Sequence, residues 1–323
     1  MDRQSRLVKF DRDKLKSAMA TLAAKGVFIG TSSWRYAGWR GMIYDESKYI
    51  TRGKVAETRF ERDCLIEYAE VFKTVCVDGA YYRFPDHRYV ENLVSQVQDD
   101  FLFTFKVTDE ITIKKFTKLP RFGDRAGKPN EHYLDADFFG RAFAKPFEPF
   151  KKHVGMFIFE FSKFYPSDYE HGRDFIADLD KFLGQLPSGW RYGIEIRNKN
   201  FLRPEYFAVL HRHGVAHVFN SWADMPPVSE QLALLDSVTN PEFAGARFLL
   251  KPGRKYEEAV VKFKPYKEIK DPYPDARAAA AELITRAALR KFIRQLFLYV
   301  NNRLEGNALL TIMAILDQLN PEV

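Results

Sequence analysis

Glu195 and Arg197 stand two apart in Tyr192-Gly193-Ile194-Glu195-Ile196-Arg197-Asn198, and residues two apart on a strand share a face. A carboxylate and a guanidinium projecting together from a strand end either orient a polar ligand or neutralise each other. Glu160 lies at the end of another apolar run, and with Glu195 it would give the paired carboxylates that general acid–base chemistry needs. Asp78, closing a third run, completes a candidate catalytic set of Glu195, Glu160 and Asp78.

The densest polar cluster follows the last apolar run. There LFLYV passes into Asn301, Asn302, Arg303, Glu305, Gly306 and Asn307 and then into a helical pattern. A buried amide or guanidinium without a partner costs roughly 1–3 kcal/mol, so this cluster reads as ligand-binding material. Lys251-Pro252-Gly253-Arg254-Lys255 follows the preceding run. Helix-opening N–H groups at Gly306 and Asn307, with Lys251 or Arg254 beside them, would cradle an anionic oxygen. The substrate-binding set is then Trp34, Tyr82, Lys106, Arg197, Asn220, Lys251, Asn301, Asn302, Arg303 and Gly306. No histidine falls at a strand end, which argues against zinc; Asp78, Glu160, Glu195 and Asp224 would suit magnesium or manganese, but no metal-ligand set is assigned and no cofactor is implied.

What must position these residues is a series of eight short, continuously apolar runs at 27–31, 74–78, 101–107, 154–161, 191–196, 216–220, 246–250 and 297–301. Such runs are strands buried on both faces, as in a parallel sheet under helices. Helical patterns at 58–72, 87–97, 136–150, 172–186, 204–213, 275–294 and 307–319 separate them, and the connection at 229–237 is the weakest. Eight βα units predict an α/β fold, a closed (β/α)8 TIM barrel with its chemistry at the C-terminal strand ends. Long loops at 32–57, 109–135 and 252–274 belong to that end. Residues 1–26 form a helical extension with Leu15, Met19 and Leu22 at helical spacing, and 27–323 form the barrel. The first turn, Gly30-Thr31-Ser32-Ser33-Trp34, lacks the glycine pattern of a dinucleotide site, and the GxxxxGK[ST], HExxH and GxSxG motifs are absent.

The 323 residues are 46% hydrophobic and 15% aromatic, which argues for a large ordered core. No run of 18 apolar residues and no apolar leader core occur, so neither membrane association nor secretion is expected and a cytoplasmic location is. Cys64 and Cys76 lack neighbouring ligands and read as buried thiols. A net charge of +7 permits an anionic ligand. Part of that excess, Lys114, Lys115, Lys118, Arg121, Arg125 and Lys128, sits in one loop that is either a solvated insertion or a nucleic-acid surface. Trp34, Tyr36, Trp39, Tyr44 and Tyr49 crowd the first long loop, more as a satellite core than as a stacking platform.

Several of these segments together resemble domain-of-unknown-function family seventy-two, the YecE-like proteins. They are Ile29-Gly30-Thr31-Ser32-Ser33-Trp34 with Trp39-Arg40-Gly41; Tyr81-Tyr82-Arg83-Phe84-Pro85; Phe101 to Lys106; Glu195-Ile196-Arg197; and Asn301-Asn302-Arg303 with Glu305-Gly306-Asn307-Ala308. The resemblance spans residues 28–319 and implies a (β/α)8 barrel without an assigned activity. Two positions depart from the family pattern: Cys76 stands where many relatives have an acid, and Ile113 where they have a histidine. If those groups move protons in relatives, this chain has altered or lost that chemistry, unless Asp78, on the same face as Cys76, reaches the same space.

The expected function is hydrolysis of a small anionic molecule at the barrel mouth, with phosphorylated compounds among the candidates. Two alternatives stand beside it: nucleic-acid binding through the 114–128 loop, and a non-catalytic ligand-binding sensor or scaffold.

Overall fold

The computed structural model describes residues 10–320. Eight parallel strands are present among them: β1 (Val27–Thr31), β2 (Thr74–Val77), β3 (Leu102–Lys106), β4 (Val154–Phe161), β5 (Tyr192–Ile196), β6 (Ala216–Ser221), β7 (Ala244–Phe248) and β8 (Leu296–Val300). From β2 to β8 each strand pairs with the next, and β8 pairs with β1 in the register Val27↔Leu296 to Thr31↔Val300. The remaining seam, β1 to β2, closes at the bridge Ser32↔Cys76, where the Ser33 amide donates to the Cys76 carbonyl at 2.9 Å. Gly30 makes this approach possible, because a Cβ there would lie 2.3 Å from the Thr74 carbonyl oxygen. The fold is therefore the (β/α)8 barrel expected from eight apolar runs.

Side chains alternate between the barrel interior and the surrounding helices. Phe28 and Phe297 stack low in the barrel with ring centroids 5.2 Å apart. Cys76, Met156, Ile158, Ala216, Val218 and Tyr299 fill its middle. Within this filling Tyr299 donates to Thr104 Oγ1 at 2.6 Å, and its hydroxyl meets Thr74 Oγ1 at 2.9 Å. Outward residues such as Phe157, Phe159, Ile194 and Phe219 join the larger core under the helices. The helix Arg12–Ala24 flanks this body, lying against β1 and the helix Glu57–Val71 with Leu15, Met19 and Leu22 buried. Residues 1–9 of the expected extension, and 321–323, lie outside the described residues.

Several elements differ from the sequence expectation, among them the segment 252–274, expected as a loop, which carries the helix Tyr256–Phe263. The continuous helix expected over 136–150 is instead a turn of α-helix at Ala136–Phe138, a π-helix at Phe139–Ala144 and a 3₁₀ segment at Lys145–His153. Pro146 and Pro149 each remove an N–H and crowd the preceding turn. The helix expected at 275–294 spans Pro274–Ala288, and the chain then turns through positive φ at Arg290 and Phe292. The seventh strand begins and ends two residues earlier than the 246–250 run implied, which changes which side chains reach the mouth. No helix of the described residues is long and apolar enough to cross a membrane.

Candidate active site

At the C-terminal ends of the strands the barrel interior changes from hydrocarbon to charge. Glu160 and Glu195 are register partners on β4 and β5, as are Asn220 and Arg247 on β6 and β7. Lys106 ends β3, Arg197 follows β5, and Asp78 follows β2. Glu160 Oε2 accepts from Lys106 Nζ at 2.7 Å, from Arg197 at 3.1 Å and from Arg247 at 3.4 Å. Glu195 pairs with Arg197 through Oε1 and with Arg247 through Oε2, the latter at 2.8 Å. Arg247 also reaches Asp78 Oδ1 at 2.9 Å. Three cations and three carboxylates thus form one buried layer with no net charge.

Electrostatics fixes the protonation of its members. Burial works to raise the Glu160 pKa, yet Lys106, Arg197 and Arg247 together outweigh it and hold the carboxyl well below its ordinary range. Lys106 shows the complementary balance: burial and Arg247 lower it, while Glu160, Tyr81 and Asp78 raise it above the usual lysine value. Burial opposes the charge on Arg247 as well, and Glu195, Asp78 and Glu160 raise its pKa well above normal. Burial pushes the Cys76 thiol up, so it stays protonated beside Asp78, whose Oδ1 it faces at 3.9 Å. Glu160 is thus held as an anion among three cations.

Aromatic rings cover the cations from above. Lys106 Nζ lies 3.5 Å from the Tyr81 ring centre, and the Arg197 guanidinium 4.1 Å from that of Trp222. Arg303 lies over Tyr256 at 4.6 Å, and Tyr82 stands 65% exposed at the rim. Asp78 is the most accessible acid of the layer, its side chain 30% exposed. By contrast, Glu195 is fully buried, with Oε2 hydrogen-bonded to Arg247 and Oε1 ion-paired with Arg197 but without a hydrogen bond.

Buried hydrogen-bond donors collect at the same end. Among the described residues, Trp34 Nε1, Arg197 Nε, Arg247 Nε, Asn301 Nδ2 and Asn302 Nδ2 have no partner, and neither has the Ser32 hydroxyl. The amide orientations are fixed by their other ends. Asn301 Oδ1 accepts the Arg303 amide at 2.9 Å, and Asn302 Oδ1 accepts Trp39 Nε1 at 3.3 Å and the Ala308 amide at 2.7 Å. Ser32 and Asn301 extend adjacent strands β1 and β8 at the same level. The five nitrogens can only donate, so whatever satisfies them must be rich in acceptors.

The structure treats the other expected binding residues differently. Asn220 Oδ1 accepts from Arg197 at 3.2 Å while its Nδ2 donates to the Ile196 and Val218 carbonyls at 3.2 and 3.4 Å, so it supports Arg197. The anion cradle expected between Lys251 and Gly306 is not built. The Gly306 amide donates to the Asn302 carbonyl at 2.7 Å, and Asn307 caps the helix by accepting from the Leu310 amide at 3.0 Å. Gly306, at φ +123°, is glycine because a Cβ would lie 2.4 Å from the Glu268 carbonyl oxygen. Lys251 lies three residues beyond β7 with its ammonium 5.3 Å from the Tyr273 ring centre. Arg247 was missed by the sequence reading, although an arginine between Ala246 and Phe248 in an apolar run was signal enough that something acidic awaited it inside the barrel.

The basic loop is folded onto the barrel. Arg121 pairs with Asp109, Arg125 with Glu110, and Ile113, Phe116 and Phe122 form a small core of their own. Among the described residues no group of three His, Cys, Asp or Glu side chains is placed to hold a metal ion.

Eight parallel strands, a charge-balanced layer at their C-terminal tips and an aromatic rim define a (β/α)8 barrel with one polar mouth. The family model described as "Protein of unknown function DUF72" matches residues 28–323, and the chain belongs to that family. It is similar to a DUF72 family protein of Enterococcus faecalis V583, at TM-score 0.59 and 17% identity, over 90% of this chain and 97% of the other. A second structure of that E. faecalis protein gives 0.60 and 19%, over 91% and 98%. A DUF72 family protein of Thermotoga maritima MSB8 gives 0.56 and 17%, over 90% and 98%. At these identities the likeness establishes the fold. No curated protein matches the chain.

Proposed function

We propose that this barrel binds a small anionic, phosphorylated molecule at its C-terminal mouth and hydrolyses it. The observation that carries the reading is the set of buried donors without partners at Trp34, Arg197, Arg247, Asn301 and Asn302. Each would cost roughly 1–3 kcal/mol if it met no acceptor, and phosphate oxygens supply several acceptors at once. Arg303, held over Tyr256, adds charge at the rim. Asp78, anchored through one oxygen to Arg247, takes a proton from the attacking water and returns it to the departing ester oxygen. Cys76 and Ile113 supply no proton-transfer group, so Asp78 carries that task. A cytoplasmic setting accords with phosphorylated metabolites as ligands.

A second reading, ligand binding without turnover, draws on the aromatic rings over Lys106 and Arg197. These cover the cation faces that would otherwise meet a transferring group. Nucleic-acid binding by the 114–128 loop has less behind it, because Arg121 and Arg125 are already paired. Screening the protein against phosphorylated compounds, with thermal stabilisation and phosphate release read together, separates the three. Stabilisation with release supports hydrolysis, stabilisation alone supports the sensor, and neither, together with steeply salt-dependent RNA or DNA binding, supports the nucleic-acid reading.

A further inference from the structure

We propose that the cleft between residues 112–127 and the 162–168 loop is a second ligand site, built for a small aromatic anion. The cleft measures about 470 Å³, within the range that holds drug-sized molecules. Its existence follows from the loop's own core: Ile113, Phe116 and Phe122 pack together, and the Arg121–Asp109 and Arg125–Glu110 pairs hold that unit beside the barrel. Phe116, Phe164 and Tyr81 line the cleft, and Leu119 and Tyr165 line it while remaining 50% and 61% exposed. Large apolar side chains left in water around one opening suit a flat apolar body.

Two further observations specify the ligand's polarity. Of the basic residues lining the cleft, Lys163 bonds Asp224 at 2.9 Å, Arg121 pairs with Asp109, and Lys114 lies 3.4 Å from the Tyr169 ring centre. Lys115 and Lys118 line it with no ion-pair partner among the described residues. Asp168, also in the lining, accepts the Tyr165 amide at 2.9 Å. Independently, Thr112 belongs to the lining and is 1% exposed, and its hydroxyl has no hydrogen-bond partner. An anionic group between Lys115 and Lys118, with an apolar ring system behind it and an acceptor within reach of Thr112, satisfies all three. Tyr81, whose ring meets Lys106 at 3.5 Å, stands between this cleft and the charge layer, so the site is separate from the mouth.

Isothermal titration of the whole protein with 1-naphthalenesulfonate, 1-naphthol and inorganic sulfate tests the assignment. The sulfonate should bind at one site at least about tenfold more tightly than either fragment, since body and charge are both read. Lys115→Glu with Lys118→Glu should weaken it about tenfold or more, and Thr112→Val about threefold with thermal stability kept. Arg303→Ala at the mouth should leave the affinity within about twofold. Equal binding of 1-naphthol, indifference to the charge reversal, loss in Arg303→Ala, or no saturable binding at millimolar concentration would each overturn the proposal.

Discussion

Glu195 divides one carboxylate between two arginines, Oε1 on Arg197 and Oε2 on Arg247, in a position closed to solvent. Removing its charge leaves two buried guanidinium groups with Glu160 and Asp78 as their remaining counter-ions. Breaking a buried ion pair at one partner costs about 3–5 kcal/mol. Glu195→Gln should therefore lower the free energy of unfolding in urea by that order. An unchanged midpoint would mean that the layer does not depend on this carboxylate.

Acid should destabilise the protein in two windows. His217 is buried, and burial lowers its pKa from 6.5 to about 3. The unfolded chain then binds a proton before the native one does, so the stability His217 contributes is complete above about pH 6.5 and is lost as pH falls toward 3, with a slope of up to about 1.4 kcal/mol per pH unit. Glu160, held well below its ordinary 4.5 by three cations that outweigh burial, adds a contribution present above about pH 5 and lost below it. Urea titrations from pH 4 to 8 should show a first limb that flattens in His217→Gln. A wild-type stability independent of pH between 6.5 and 5 would contradict the burial of a neutral imidazole.

How much of this was legible from residues alone depends on range. Glu195 and Arg197 could be placed on one face because a strand repeats every two residues, and their interior position followed from apolar neighbours on the other face. The partners could not, since Arg247 lies 52 residues away and its interior level depends on where β7 begins. An apolar run shows that a strand exists but marks its ends weakly: with the strand ending at Phe248, Arg247 lies in its last turn of pleat and Lys251 three residues beyond it. The Asn301–Asn307 cluster reads as too polar for a core, yet Asn301, Asn302, Glu305 and Asn307 are each 1% exposed or less. Its division of labour, with the Asn302 and Asn307 oxygens capping the next helix, Asn307 Nδ2 donating to the Tyr266 carbonyl, and Asn301 Nδ2 and Asn302 Nδ2 unpaired, is a matter of tertiary geometry.

The seam between β1 and β2 rests on Gly30. A methyl group there would lie 2.3 Å from the Thr74 carbonyl oxygen, which is backbone and cannot swing away. Gly30→Ala should force the strands apart and cost at least about 2 kcal/mol, the scale of core overpacking. Urea unfolding should report the loss and hydrogen exchange should show it first at the Ser33 amide, which bonds across this seam. Native-like protection at Ser33 in the variant would show that closure does not need the missing side chain.

Asp78→Asn tests the proposed chemistry most directly, because it changes charge at nearly constant volume in a partly exposed residue. The asparagine oxygen can still accept from Arg247, so the fold should persist with a stability loss of about 1–2 kcal/mol. A phosphorylated ligand should bind as well as before or better, the like charge at the mouth being gone. Turnover should fall by about 10²–10⁴-fold, the usual share of a positioned general base, so that kcat carries the loss while KM does not rise. A turnover number within threefold of the unmodified protein would remove Asp78 from proton transfer. Turnover absent from both proteins, with ligand stabilisation intact in both, would instead identify the mouth as a binding site without catalysis.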